Sequence, residues 1–220
     1  MLLEESLWFK YVINKYVKPY SLVLNIGSSD KHFIENIQPY IKSNVIDELN
    51  KKQCSLKNID IKPCEGVDLV GDVTDISFIN QINALNPDVI ICSNLLEHLD
   101  NRQAFCEGLM KMTSGSTILI VSVPHSFPYH EDPIDTLYRP NVNDLKKAFA
   151  SLFLMEGTIV KCGTYYSYIN QHEKKGFTFV NYLRICRATL RAFFINRERF
   201  LSLLWYFRKI SVSCGVFKKL

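Results

Sequence analysis

"VLNIGSSDKHF", residues 23–33, passes from an apolar run through one glycine into polar residues. A buried strand breaks into a helix-opening loop in this way: apolar residues hold the strand, and glycine permits the sharp turn. The same alternation runs along the chain. The spacing predicts helices over 4–17 (ending before Pro19), from Asp30 to about Ile41, and over 76–85, 101–112 and 141–150. It predicts strands over 22–26, 57–61, 67–70, 88–93, 116–123 (ended by Pro124) and 153–165, with an alternating β-branched run at 209–219. Continuous apolar strands such as "DVIICS" (88–93) and "STILIVSV" (116–123), separated by helices, imply a mostly parallel sheet covered on both faces. This is the doubly wound α/β pattern, in which ligands lie beyond the carboxyl ends of the strands.

The 220 residues are 47% hydrophobic and 22% charged, ordinary globular proportions that suit a single domain over 1–220. "MLLEESLWFK" carries two glutamates where an export signal needs positive charge, and no window approaches eighteen apolar residues, so neither a leader nor a spanning helix is expected. The seven cysteines form no CxxC pair, which argues against a zinc or disulfide framework and for a reducing cytoplasm. Charge is uneven: residues 182–220 hold nine Lys/Arg against one acid, Glu198, while the rest of the chain is net acidic.

The strand ends carry the chemistry. Gly27 follows the first strand, where a helix opening near Asp30 offers backbone N–H groups; taken alone, one glycine is better explained by a simple turn. Asp60 closes the second strand; it suits a ribose diol or a solvated turn. Asp72 follows the third, where it meets an adenine amino group or caps a helix, a role that Thr74 or Asp75 fills as well. "SNLLEHL" (93–99) follows the fourth.

In these features the chain resembles the class I S-adenosylmethionine-dependent methyltransferases. It is most similar to a branch with "LEHL" after the fourth strand, common among small-molecule and surface-polysaccharide enzymes. The resemblance rests on "NIDIKPCEGVDLVGDVTDI", "LEHL" and "VPHSFPYHEDPIDTLYRP" (123–140) and covers roughly residues 20–165. It implies a seven-stranded sheet with a last, antiparallel strand beside the fifth, preceded by a helical insertion at 181–209. It implies S-adenosyl-L-methionine as cofactor, held by Asn25, Gly27, Ser29, Asp60, Ile61, Asp72, Val73, Asn94 and Leu95. His130 and His98 become candidate bases for an O- or N-acceptor, a small molecule or glycan intermediate. His125, Asp132, Asp135 and Arg139 become candidate acceptor contacts. A structural role for His98, and a loop ordered by Arg139 pairing with an aspartate, account for the same residues.

The glycine loop departs from the family pattern of an acid and three alternating glycines. Those positions are Asn25, Gly27, Ser29 and Lys31. Asn25 accepts a hydrogen bond without neutralising the cofactor's ammonium, and Asp30 is a candidate for the missing charge. This keeps a catalytically inactive binding or scaffold protein as the rival reading. A GxGxxG for a pyrophosphate is absent. Some relatives hold a divalent ion with an acid three residues before the Glu-His pair; Asn94 stands there, and with Glu97 and His98 alone no metal is expected.

In the basic segment, Arg184, Arg187 and Arg191 share a helical face, and Leu183, Leu190, Phe194 and Leu201 are expected largely elsewhere. That suits peripheral contact with the inner face of a membrane or docking onto the body of the protein. Nucleic acid is not an expected partner, because no RNA-binding module is recognisable.

Overall fold

The structure is a computed structural model and describes residues 1–28, 32, 37–130, 134–172, 179–195 and 203–220. Seven strands form one sheet: β1 (Leu22–Ile26), β2 (Ser55–Asp60), β3 (Leu69–Val70), β4 (Val89–Ser93), β5 (Ile118–Ser126), β6 (Phe153–Thr164) and β7 (Lys209–Lys218). Their order is β3-β2-β1-β4-β5-β7-β6, and β7 alone runs antiparallel to its neighbours. The polypeptide between β6 and β7 includes two helices, α7 (Tyr165–His172) and α8 (Phe179–Ile195).

The apolar strand runs bury side chains on both faces, as a covered parallel sheet requires. Leu24, Ile26, Ile90, Cys92, Leu119 and Val121 pack on one face beneath α4 (Ile76–Leu85), α5 (Arg102–Met112) and α6 (Val142–Ala148). Val23, Val89, Ile91 and Ile120 face the other side, where α1 (Leu3–Tyr16) supplies Trp8, Phe9, Val12 and Ile13. Adjacent strand residues thus alternate between two cores. On β4 this makes Val89–Cys92 continuously buried, which is why the sequence shows a run there and no alternation.

Local chemistry fixes the helix ends. The Asp75 carboxylate accepts from Ser77 N at 2.8 Å to start α4, and Asn86 ends it in the left-handed region at φ +50°. Asn101 caps α5 through Ala104 N, and Asn141 and Asp144 cap α6 reciprocally.

Three expectations shift. Pro124 does not end β5: the strand continues to Ser126, with Pro124 opposite Val212 and an irregular register just after it. Pairing with β4 stops at Ser122, so the missing Pro124 N–H faces no strand on that side. Pro39 does not weaken a helix end; it stands in the first turn of a new helical run, α2 (Pro39–Ile41), a π turn (Lys42–Ile46) and α3 (Asp47–Lys51). Most of the helix expected from Asp30 to Ile41 falls outside the described residues. The helical segment before β7 also starts earlier than 181, at Tyr165.

Candidate active site

β1, β2 and β4 end side by side, and a cavity of about 660 Å³ opens beyond their carboxyl ends. Asn25, Gly27, Asn58, Asp60, Ser93, Asn94 and Leu95 line it from the strand tips, and Gln38, Ile41 and Val45 line it from the helical run. Glu97, His98, Phe127 and His130 line it as well.

Gly27 sits at φ +71°, and a Cβ there would lie 2.7 Å from Leu95 Cδ2. The turn therefore needs glycine both for its dihedral and for the space that Leu95 takes. Asn25 Nδ2 donates to Asn58 Oδ1 at 3.1 Å, which leaves the Asn25 carbonyl oxygen without a partner among the described residues. Asp60 Oδ1 accepts from Lys62 N at 3.0 Å, and its Oδ2 has no partner among the described residues.

Beneath the strand tips lies a buried carboxylate. Glu5, fully enclosed, accepts from Leu2 N (2.8 Å), from Ser122 Oγ (2.6 Å) and from Asn94 Nδ2 (2.9 and 3.2 Å). Asn94 is held at φ +49° just past β4. Glu5 thus ties α1 to the tip of β4 and to β5, at the floor of the cavity. The sequence carried a signal for it: Glu5 shares the i, i+3, i+4, i+7 face of Trp8, Phe9 and Val12, where an acid is out of place.

The far end is built by residues 127–130 and 134–139, which fold against the 3₁₀ turn Leu96–His98. Thr136 donates through N and Oγ1 to Glu97 O, both at 2.9 Å, and Arg102 ties Leu96 O to Thr136. Asp135 is saturated: Arg139 grips it at 3.0 and 2.6 Å, and His130 N and Leu137 N donate to it. Burial works to raise the Asp135 carboxyl, but Arg139 and the two N–H donors outweigh it and hold it down at about 2.

His98 Nδ1 contacts Ile134 O at 2.5 Å, and His130 Nδ1 lies 3.4 Å from Pro128 O and 3.2 Å from Asp135 Oδ2. Carbonyl and carboxylate oxygens accept only, so Nδ1 carries the proton in both rings and Nε2 the lone pair. The rings meet edge to face at 5.2 Å. Burial holds the His130 imidazole below its ordinary value, against the pull of Asp135. Glu97 is fully buried, neither carboxylate oxygen has a hydrogen-bond partner among the described residues, and burial pushes the carboxyl up to about 8.

The structure therefore brings Asn25, Gly27, Asp60, Asn94, Leu95, His98 and His130 to one cavity and leaves other candidates outside its lining. Asp72 Oδ1 accepts from Thr74 N and Oγ1, both at 2.8 Å, so it orders its own turn. Val73 is core, and Ile61 is 62% exposed beside Asp60. His125 Nδ1 is directed to Pro140 O, and Asp135 and Arg139 hold each other, so the loop is self-paired. Ser29, Asp30, Lys31 and Asp132 lie outside the described residues.

This fold recurs in known proteins. Coclaurine N-methyltransferase, solved with N-methylheliamine and S-adenosylhomocysteine, superposes with a TM-score of 0.56 at 13% identity, over 98% of this chain and 70% of that one. A SAM-dependent methyltransferase from Archaeoglobus fulgidus gives 0.53 at 14% identity, over 97% and 94%. The chain has the methyltransferase fold. The cyclase SpnF shares that fold too (0.54, 11% identity, 96% and 80%), so the architecture by itself does not name a reaction. No family model and no curated protein sequence matches the chain.

Removing the Glu5 carboxylate strands two buried donors, Leu2 N and Ser122 Oγ, at about 1–3 kcal/mol each when unsatisfied, and the half-buried Asn94 amide. Glu5→Ala is expected to lower the unfolding free energy by about 2–4 kcal/mol in urea titrations, with Glu5→Gln between it and wild type. A Glu5→Ala protein as stable as wild type would show that the network contributes nothing net.

Proposed function

We propose that the chain transfers a methyl group from S-adenosyl-L-methionine to an oxygen or nitrogen of a small-molecule or glycan acceptor. One observation supports this most: in a methyltransferase fold, Gly27 and the half-used Asp60 carboxylate flank a cavity of about 660 Å³, ample for a cofactor of this size. The residues present fit the group. Asp60 Oδ2 would accept from the ribose hydroxyls, and Asn25 Oδ1 from the ammonium. Ile61, apolar and exposed next to Asp60, would cover the adenine. Gly27 keeps the backbone close to the ligand.

When bound, the cofactor supplies an already activated methyl group. The protein's work is then to hold the acceptor in line and to receive its proton. Leu95 and Asn94 floor the middle of the cavity. His98 and His130, with their Nε2 lone pairs, mark the acceptor end; Ile134 O and the Asp135–Arg139 pair act as positioning groups that set the tautomers.

A second surface supports contact with a membrane. Along α8, Leu183, Leu190 and Phe193 are 40%, 65% and 61% exposed, and Arg184, Arg187 and Arg191 are exposed with them. Leu183 and Leu190 were expected away from the arginines. They stand beside them on the outer side, because residues three and four apart share a helical face. Phe194's side chain and Leu201 are outside the described residues. Among those described, no helix is long and apolar enough to span a bilayer, so the contact proposed is peripheral.

Calorimetry with S-adenosylmethionine and S-adenosylhomocysteine is expected to show one site. Asp60→Ala should weaken it by about 1.5–3 kcal/mol, the range for a hydrogen bond to a charged group. A folded Asp60→Ala with unchanged affinity removes Asp60 from the site, and no binding by wild type favours the scaffold reading. For α8, co-sedimentation with anionic vesicles should exceed that with neutral ones and fall with salt, at about 1 kcal/mol per basic residue. Gln at Arg184, Arg187 and Arg191 together should abolish the difference. Equal indifference to both vesicles would contradict membrane contact.

A further inference from the structure

The expectation of no metal counted two ligands, Glu97 and His98. The fold supplies a third. One ligand atom from each of Glu97, His98 and His130 lies within 4.8 Å of the other two. We propose that these three residues form a site for a divalent first-row transition metal ion, open on one side to the cavity.

Three independent features of the geometry carry this. The Glu97 side chain is enclosed and both of its oxygens lack a hydrogen-bond partner among the described residues, an arrangement that is costly unless a ligand faces them. His98 Nε2 stands 3.6 Å from Glu97 Oε1, too far for a hydrogen bond. A tetrahedral ion with bonds of about 2.0–2.1 Å sets its ligand atoms roughly 3.3–3.4 Å apart, which is close to that spacing. Finally, both rings have Nδ1 directed to oxygen acceptors: Ile134 O for His98, and Asp135 with Pro128 O for His130. A metal-ligating histidine is oriented in this way, its second nitrogen donating to a carbonyl or carboxylate. Arg139 in turn fixes Asp135 from two sides.

The donor set selects the ion. Two imidazole nitrogens and one carboxylate suit Zn²⁺, Mn²⁺ or Fe²⁺; Mg²⁺ and Ca²⁺ prefer oxygen throughout. Three protein ligands leave a position for water or for an acceptor oxygen, the pattern of a catalytic rather than a structural site. An ion held there lowers the pKa of an acceptor hydroxyl in its open position, and the hydroxyl proton leaves to solvent water. It thereby takes over the role that the two lone pairs would otherwise fill as bases. That use of the ion rests on the methyltransferase reading; the binding of the ion does not.

The test uses the full chain, stripped of metal with a chelator and titrated with ZnCl₂ and, separately, MnCl₂ by calorimetry. Manganese guards against the free thiols, which attract zinc. One equivalent of each ion is expected to bind. Glu97→Gln replaces a group that can ionise on an incoming cation with an amide that cannot, and removes no hydrogen bond seen among the described residues, so it should fold like wild type and bind both ions at least tenfold more weakly. His130→Ala should do the same, and MgCl₂ should bind far more weakly than MnCl₂ to wild type. Failure of wild type to bind manganese at one equivalent, or undiminished binding in a folded Glu97→Gln, overturns the proposal. S-adenosylhomocysteine affinity measured on the same metal-free protein reports on the cofactor reading separately.

Discussion

Everything at the ligand end of this sheet depends on how the buried Glu5 carboxylate is satisfied. An enclosed carboxylate is tolerated when hydrogen-bond donors replace water, and here the donors come from three different places: the start of α1, the tip of β4 and the middle of β5. Meeting that requirement sets the start of α1 against the tip of β4 and the middle of β5, and directs the Asn94 amide nitrogen to Glu5. It also holds Asn94 in the left-handed conformation that turns the chain from β4 into Leu95 and the Leu96–His98 turn. Leu95, so positioned, occupies the space that a side chain at residue 27 would need. One carboxylate on the first helix therefore reaches, through contacts, both the glycine turn and the turn that carries Glu97 and His98.

The cavity divides along the same line. Toward β1 and β2 it offers acceptors, the Asn25 carbonyl oxygen and Asp60 Oδ2, suited to a ligand rich in hydroxyl and ammonium donors. Toward His98 and His130 it offers lone pairs and an unpartnered carboxylate, suited to a proton or a cation. Residues 134–139 support the second end: Asp135 accepts from Arg139 and from the His130 backbone N–H. The Asn58 partnership fixes which way the Asn25 amide faces.

Periodicity made most of the sheet legible. The strand over 22–26 and the helix over 76–85 sit where the sequence places them, because each is bounded by residues that fix the backbone. The run from Pro39 to Lys51 extends past the helix end expected near Ile41, through a π turn over Lys42–Ile46 into α3. Strand-end polar residues were readable one by one, and Gly27, Asp60 and Asn94 do line the cavity. Asp72 shows the limit of that method, since an aspartate before Thr74 serves its own turn as readily as a ligand. The grouping of Glu97, His98 and His130 could not be read from spacing. It exists only because Thr136 and Ile134 dock a distant loop on the turn after β4.

The central claim is that the cavity beyond β1, β2 and β4 is a cofactor pocket resting on the Glu5-anchored strand ends. A crystal structure of the chain grown with excess S-adenosylhomocysteine tests it most directly. The account predicts the ligand in that cavity, its ribose on Asp60 and its sulfur between Leu95 and the His98–His130 end, with Glu5 still bonded to Asn94 and Ser122. Density for the ligand elsewhere on the molecule, or a pocket left empty at saturating ligand, would contradict it.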